Sequence, residues 1–214
     1  MIIQNVLVLG SGSAGLIAAL SLKRKIPQLN VRVVRSPQIG VIGVGEGTTP
    51  NFPEHIFDYL GISRKRFYAM AAPTWKLGVR FLWGSRGRFD YTFAPQLDVK
   101  RTDLPKPHGY YCDEEFSGNH LTAALMLQDK VFLRQENGCP DVQPWHAFHI
   151  ENEQFVSVLE QVARESGVEF IDGNVTGADR GPEGVTAVHL EDGRRLEADF
   201  FIDASGFRSE LLGK

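Results

Sequence analysis

The chain is poor in cysteine: its 214 residues hold two, Cys112 and Cys139, and neither sits in a Cys-x-x-Cys pattern. That argues against a disulfide framework or a cysteine-rich zinc site, and it suits a reducing cytoplasm. An excess of one charge is missing too, since 23 basic against 26 acidic residues leave a net charge of −3. The densest basic cluster, Arg64-Lys65-Arg66, reads as a solvated helix face, so no electrostatic footprint recruits nucleic acid or an anionic membrane. No apolar run approaches the roughly 20 residues that a spanning helix needs. The apolar start through Leu9 carries neither a basic n-region nor a small-residue cleavage site, and it reads as a buried strand. Internal repeats and low-complexity stretches are also lacking.

What is present is an ordinary globular balance, 43% hydrophobic with 22 Gly and 11 Pro. A strand over about Ile3–Leu9 runs into Gly10-Ser11-Gly12-Ser13-Ala14-Gly15 and then a helix to about Lys25. Pro27 stops that helix, and Val31–Val34 forms a second strand, the β-α-β order of a parallel sheet. The three glycines have separate tasks. Gly10 permits the tight turn, Gly12 lets the backbone approach a pyrophosphate, and Gly15 lets the helix pack on the strand. The helix amino-terminus, with Ser13 and Ala14, then faces the phosphates. The acid that reads a ribose after the second strand is replaced by Arg35, followed by Ser36. In a nicotinamide enzyme Arg35 suggests a 2′-phosphate; it is equally a solvated strand end or an adenosine contact. This turn alone leaves FAD and NADP both open.

Farther on, short helices are expected around Pro53–Leu60 and Ser63–Ala71. The alternation from Trp75 to Trp83 predicts one strand, with Lys76, Gly78 and Arg80 on the face opposite Trp75, Leu77 and Val79. Asp98–Gly118 has no readable period. Asn119 is placed to cap a helix to about Gln128. Another helix starts near Glu151, with Phe155, Val158, Leu159, Val162 and Ala163 on one buried face. Strands follow at Val168–Ile171, Asn174–Asp179, Val185–Leu190 and Arg195–Asp203.

The last of these leads into Asp203-Ala204-Ser205-Gly206, which resembles the distal motif of FAD monooxygenases and halogenases. That resemblance assigns Val175, Asp203 and Gly206 to the flavin nucleotide. Trp145–Ile150 matches the aromatic lead-in to the middle helix of those proteins. Gly43-Val44-Gly45-Glu46-Gly47-Thr48-Thr49-Pro50 resembles the strap of tryptophan-halogenase-like enzymes, which contacts the flavin and links it to the substrate site. Val44, Gly45, Glu46 and Gly47 are its cofactor-facing members. Phe57–Ile62 matches the helix end that follows, so the likeness covers the chain except roughly Asp90–Pro144.

The resemblance implies an α/β fold: a Rossmann-type FAD-binding domain with a parallel sheet, a β-meander insertion and extra helices. Residues 1–214 would form an incomplete amino-terminal domain, with an inserted substrate-side region beginning over 75–145. Lys76 corresponds to the active-site lysine of the family. A lone strand lysine would otherwise be read as solvated, since Lys is seldom buried unpaired. Reduced FAD supplied by a separate flavin reductase, oxygen and a halide ion would yield hypohalous acid. The acid would pass to Lys76, which hydrogen-bonds it or becomes a haloamine, for halogenation of an aromatic indole, pyrrole or phenol. A homodimer is compatible with the sequence. The family's Trp-x-Trp-x-Ile-Pro segment and its catalytic glutamate have no counterpart in these residues, which fits an expected fragment. Rival readings are an FAD monooxygenase, a geranylgeranyl-reductase-like flavoprotein and a non-catalytic nucleotide-binding remnant. His146 and His149 sit three apart but lack a third ligand, so a structural role is the expectation for both and no metal site is assigned.

Overall fold

In the computed structural model, which describes residues 2–40, 43, 45–85, 87–94 and 120–213, β1 (Asn5–Leu9) starts the chain as a strand buried almost throughout. α1 (Ser13–Lys25) and β2 (Asn30–Arg35) complete the β-α-β unit. β3 (Glu46–Gly47) and α2 (Asn51–Pro53) come next, and a π-helical stretch over Glu54–Tyr59 leads to α3 (Arg64–Ala71). Then come β4 (Thr74–Lys76), β5 (Gly78–Phe81), β6 (Phe89–Thr92), α4 (Leu121–Leu127), β7 (Phe132–Arg134), β8 (Pro140–Val142) and β9 (Ala147–Ile150). α5 (Asn152–Glu165) precedes β10 (Glu169–Asp172), β11 (Val175–Gly181), β12 (Gly184–Leu190), β13 (Arg195–Glu197) and β14 (Phe200–Asp203). A 3-10 turn at Gly206–Arg208 follows. Two compact units result: Met1–Glu46 with His55–Ala72 and Glu151–Lys214, and Gly47–Glu54 with Pro73–Ile150.

The first unit is a Rossmann-type α/β body. Its four-stranded sheet has the order β10-β2-β1-β14, and every neighbouring pair is parallel. Parallel strands are covered on both faces, which is why β1 reads as a near-continuous apolar run. Leu7, Leu9, Val34 and Ile171 pack on Val188 and Leu190 of the antiparallel meander β11-β12-β13. Val6, Val8, Val31 and Val33 alternate to the opposite face, where α1 packs on β1 and β2 and also meets α5. α5 turns Phe155, Val158, Leu159 and Ala163 inward, and Phe155 meets Phe67 of α3 edge-on at 6.1 Å. Its amino-terminus is capped by the Glu151 carboxylate, which accepts from the N–H groups of Glu153 at 3.1 Å and Gln154 at 2.7 Å.

One expected strand is in fact two. Arg195–Asp203 breaks at Ala198-Asp199, with β13 in the meander and β14 in the parallel sheet. The cause lies at the far end of the chain. Asp199 Oδ2 accepts from the backbone N–H of Gln4 at 2.9 Å and of Asn5 at 2.8 Å, and this pins the crossing point.

The second unit has a three-stranded sheet of order β3-β9-β4 and two hairpins, β5-β6 and β7-β8. Here the expected strand from Trp75 to Trp83 also divides. β4 pairs antiparallel with β9, β5 pairs with β6, and buried Leu77 between them accepts from Phe93 N–H at 2.8 Å. The Arg80 guanidinium ties the hairpin to the end of α4, reaching Asp90 at 2.8 Å, Asp129 at 3.0 Å and the Met126 carbonyl at 2.7 Å. The cap of α4 is the His120 side chain, which accepts from Thr122 N–H at 3.2 Å; Asn119 lies outside the described residues. So does the aperiodic stretch Asp98–Gly118. No helix among the described residues is long and apolar enough to cross a membrane.

Candidate functional site

The first unit holds a cavity of about 300 Å³ at the carboxyl ends of β1 and β2. That is where open parallel sheets take ligands. Gly10, Gly12, Ser13, Ala14, Ser36, Glu46, Val175 and Gly206 all line it, so residues from five separate stretches of sequence come to one cavity.

The glycine turn works by proximity of backbone. Gly10 has φ +106°, and a Cβ there would stand 2.3 Å from the Ala204 carbonyl oxygen. Gly15 does not line the cavity. A Cβ there would stand 2.0 Å from the Gly10 carbonyl oxygen, so its hydrogen lets α1 close on the turn. Gly12 differs from both. Nothing lies within 4 Å of where its Cβ would be, so the space above it is open to a ligand. It also caps α1 without a side-chain hydrogen bond, and the first turn contains no acid. The leading N–H groups of that helix are therefore available to an anion, and the macrodipole favours one. An open cradle over Gly12 beside uncapped N–H groups fits a dinucleotide pyrophosphate.

Asp203 is set behind the wall. Its Oδ1 accepts from the Ser205 N–H at 3.1 Å and from the Ser205 hydroxyl. Its Oδ2 accepts from Leu211 N–H at 2.8 Å and Leu212 N–H at 3.1 Å. Burial alone would raise its pKa, yet these donors together hold the carboxyl below the usual aspartate value. The carboxylate thereby closes the loop that presents Ala204, Ser205, Gly206, Arg208 and Glu210 to the cavity.

Arg35 is likewise absent from the lining, although its neighbours Val34 and Ser36 belong to it. The guanidinium is held by Asp172 and by Glu160, both at 2.8 Å, and the Asp172 hydrogen bond raises its pKa. Ser36 donates its hydroxyl proton to Asn174 Oδ1, and the Asn174 amide donates to Glu191 at 2.9 Å. Of the strap, Gly45 has φ +85° and open space around it, Gly47 belongs to the second unit, and Val44 lies outside the described residues. A Cβ on Gly43 would stand 2.4 Å from the Asn152 Cβ, which explains the glycine there.

Lys76 ends β4 in the second unit. The register places Lys76 opposite Ala147 and Thr74 opposite His149, so these four share one face of the sheet, while Trp75 and Phe148 share the other. The Lys76 ammonium donates to the Thr48 carbonyl oxygen at 3.2 Å and lies 5.4 Å from the centroid of the Phe93 ring. No carboxylate pairs with it among the described residues, and burial lowers its pKa. A Cβ on Gly47 would stand 3.0 Å from the Lys76 Nζ and 3.6 Å from the His149 Nδ1. Burial, and after it the Lys76 charge, lowers the pKa of His149.

Sequence reasoning left out several of these residues. Ser11, Asn152, Asn174, Arg208 and Glu210 line the cavity, and only proximity to the quoted motifs could have marked them. The three-residue spacing sets His149 beside His146, but His146 turns to the Gln143 carbonyl at 2.7 Å while His149 faces the lysine side of the sheet. Among the described residues no three metal-ligating side chains gather.

A family model described as tryptophan halogenase matches residues 5–214. Tryptophan 7-halogenase KtzQ from a Kutzneria species is 31% identical over 236 residues, covering 99% of this chain and 44% of that protein. Tryptophan 6-halogenase ThaL of Streptomyces albogriseolus is 28% identical with the same coverage. Among solved structures, MibH, a tryptophan 5-halogenase, superposes with a TM-score of 0.83 at 37% identity, covering 99% of this chain and 41% of its own. A flavin-dependent halogenase from Xanthomonas campestris gives 0.81 at 26% identity, covering 100% and 44%. The chain thus spans less than half the length of the relatives it matches.

Proposed function

The chain belongs to the tryptophan halogenase family, and from that premise we propose that it is the FAD-binding, lysine-bearing portion of a flavin-dependent halogenase. The substrate is an electron-rich aromatic ring, an indole, pyrrole or phenol. The observation that carries this reading is Lys76: a partly buried ammonium held by a carbonyl, without a carboxylate partner among the described residues. A structural strand lysine would reach for solvent or an acid.

In this reading Gly12, Ser13 and Ala14 offer backbone to the pyrophosphate, and Ser36 and Val175 face the adenosine. Gly45, Glu46 and Gly206 border the flavin. Asp203 acts behind the wall by fixing the loop that carries Gly206, and Gly15 by seating the helix. Arg35 serves the same end through Asp172 and Glu160, which steady the adenosine side. When bound and reduced by a separate reductase, the flavin supplies oxidising power from oxygen to a halide ion. The chain's own task is to hold the resulting hypohalous acid at Lys76, whose three donors fix an oxygen acceptor. A lowered pKa also brings the neutral amine nearer to physiological pH. The isolated cysteines support a cytoplasmic setting.

The test supplies the purified chain with FAD, a reductase, bromide or chloride, and an indole. Yellow, folded protein that yields haloindole supports the proposal, as does loss of that product by at least about a hundredfold in Lys76→Ala with flavin binding kept. Oxygenated product without halogen would favour a monooxygenase. A folded chain that takes up no FAD would be a nucleotide-binding remnant.

A further inference from the structure

His149 is the feature that the family reading leaves without a task. It lies one strand over from Lys76, on the same face, and both nitrogens converge on the volume that a side chain at Gly47 would fill. Each residue is drawn to that point by a different strand, Lys76 by β4 and His149 by β9, and glycine leaves the point empty for them. Thr48 offers a carbonyl, Ala147 and Phe148 are apolar, and His146 is bound to Gln143. Among the described residues, Lys76 is the charged group acting on His149.

A protonated amine has no lone pair. Before the Lys76 nitrogen can take up any electrophile, its proton must move to an acceptor. The Thr48 carbonyl stabilises the ammonium but is too weak a base to accept the proton. We propose that His149 is a positioning residue for Lys76 and the acceptor of its proton: one proton leaves Nζ for an imidazole nitrogen, giving a neutral amine and an imidazolium. This rests on the reading of Lys76 as the reactive lysine. The lowered pKa of His149 keeps the imidazole neutral at pH 7 and also makes it the weaker base of the two, so the transfer is an uphill step that reaction of the freed amine pulls forward.

Two measurements on the folded chain test this, and neither needs turnover. The first follows the His149 ring proton by NMR through a pH titration, in wild type and in Lys76→Met. Removing a neighbouring positive charge moves the His149 midpoint upward by about half a pH unit or more. An unchanged midpoint overturns the proposal. The second measures acetylation of Lys76 by a small acylating reagent between pH 6 and 9, read by peptide mass spectrometry, with surface lysines as internal reference. His149→Gln keeps a hydrogen-bonding side chain but no proton acceptor, and it slows Lys76 at pH 7 by at least about tenfold and removes the inflection near the histidine midpoint. Wild-type rate and pH profile in that variant overturn the proposal, since a purely structural histidine gives that result. The outcomes also separate from the functional reading. Coupled titration and slowed labelling in a folded chain that takes up no FAD leave the pair standing and remove the halogenase reading. Lys76-dependent halogenation with both measurements unmoved does the reverse.

Discussion

The cavity of the first unit is built mainly of backbone, whereas the lysine site of the second is built of side chains. In the first, Gly10, Gly12 and Gly15 remove side chains so that main-chain groups can approach one another or a ligand. In the second, Gly47 leaves free a point faced by an ammonium at 3.0 Å and an imidazole nitrogen at 3.6 Å. The same residue type thus serves rigid close packing in one unit and leaves room beside an ammonium and an imidazole in the other. Backbone contacts cannot yield, while the end of a lysine can. The two sites should therefore fail differently when glycine is replaced.

The sharpest way to break this comparison is at Gly10. Gly10→Val brings a Cβ to 2.3 Å from a backbone oxygen at φ +106°, where neither partner can move away. We expect a loss of at least about 3 kcal/mol by urea denaturation, and an unfolded product is consistent with that size. Gly12→Val is the matched control, since its Cβ meets open space and its φ is −72°. It should unfold at nearly the wild-type urea concentration yet bind FAD at least about tenfold more weakly by fluorescence titration. Equal stability losses in the two variants would erase the distinction drawn between the glycines.

Asp203→Asn tests whether the distal loop is held from behind. The amide keeps one oxygen for four donors, and we expect about 1–3 kcal/mol lost by urea denaturation, with weaker FAD binding as a consequence. The pH dependence has a definite sign. A carboxyl depressed on folding contributes stability that is present above the ordinary aspartate value of 3.8 and is lost as pH falls through the lower folded value. The wild type should therefore lose stability more steeply than Asp203→Asn below about pH 4. Parallel acid limbs in the two proteins would remove the carboxylate from this role.

Gly47→Ala probes the softer site. The added methyl meets the mobile end of Lys76 at 3.0 Å and His149 at 3.6 Å, with no positive φ to strain the backbone. We expect under about 1 kcal/mol of destabilisation, several times less than at Gly10, together with an altered Lys76 acetylation rate. A stability loss as large as that of Gly10→Val would show that the lysine site is as unyielding as the glycine turn.

Legibility follows the same division. The glycine fingerprint, α1 and the capped start of α5 were readable because their causes lie within a few residues. Strand breaks were not. β13 and β14 part at Asp199 because its carboxylate binds N–H groups at Gln4 and Asn5, almost the whole chain away. β4 and β5 part at Leu77 because its carbonyl is claimed by Phe93, while the alternation of side chains runs on without a mark. His149 shows the same limit at the lysine site. Its spacing from His146 points along its own strand, but its relation to Lys76 exists only across the pairing of β4 with β9.

Arg35 gives the smallest expected effect and the closest test of how the cavity is bounded. Its position at the end of β2 suggests contact with a ribose or a 2′-phosphate, yet its guanidinium is satisfied by Asp172 and Glu160. A charge already paired to two carboxylates has little attraction left for a third anion, and those acids repel a phosphate placed beside them. These groups are partly exposed, so solvent screens the pairs and their removal costs little. Arg35→Ala should therefore keep the FAD dissociation constant within about threefold of wild type, and NADP should bind neither protein measurably. A drop in FAD affinity of more than about tenfold would mean that the guanidinium leaves its carboxylates to hold the cofactor itself, and the cavity would then be lined by side-chain charge as well as by backbone.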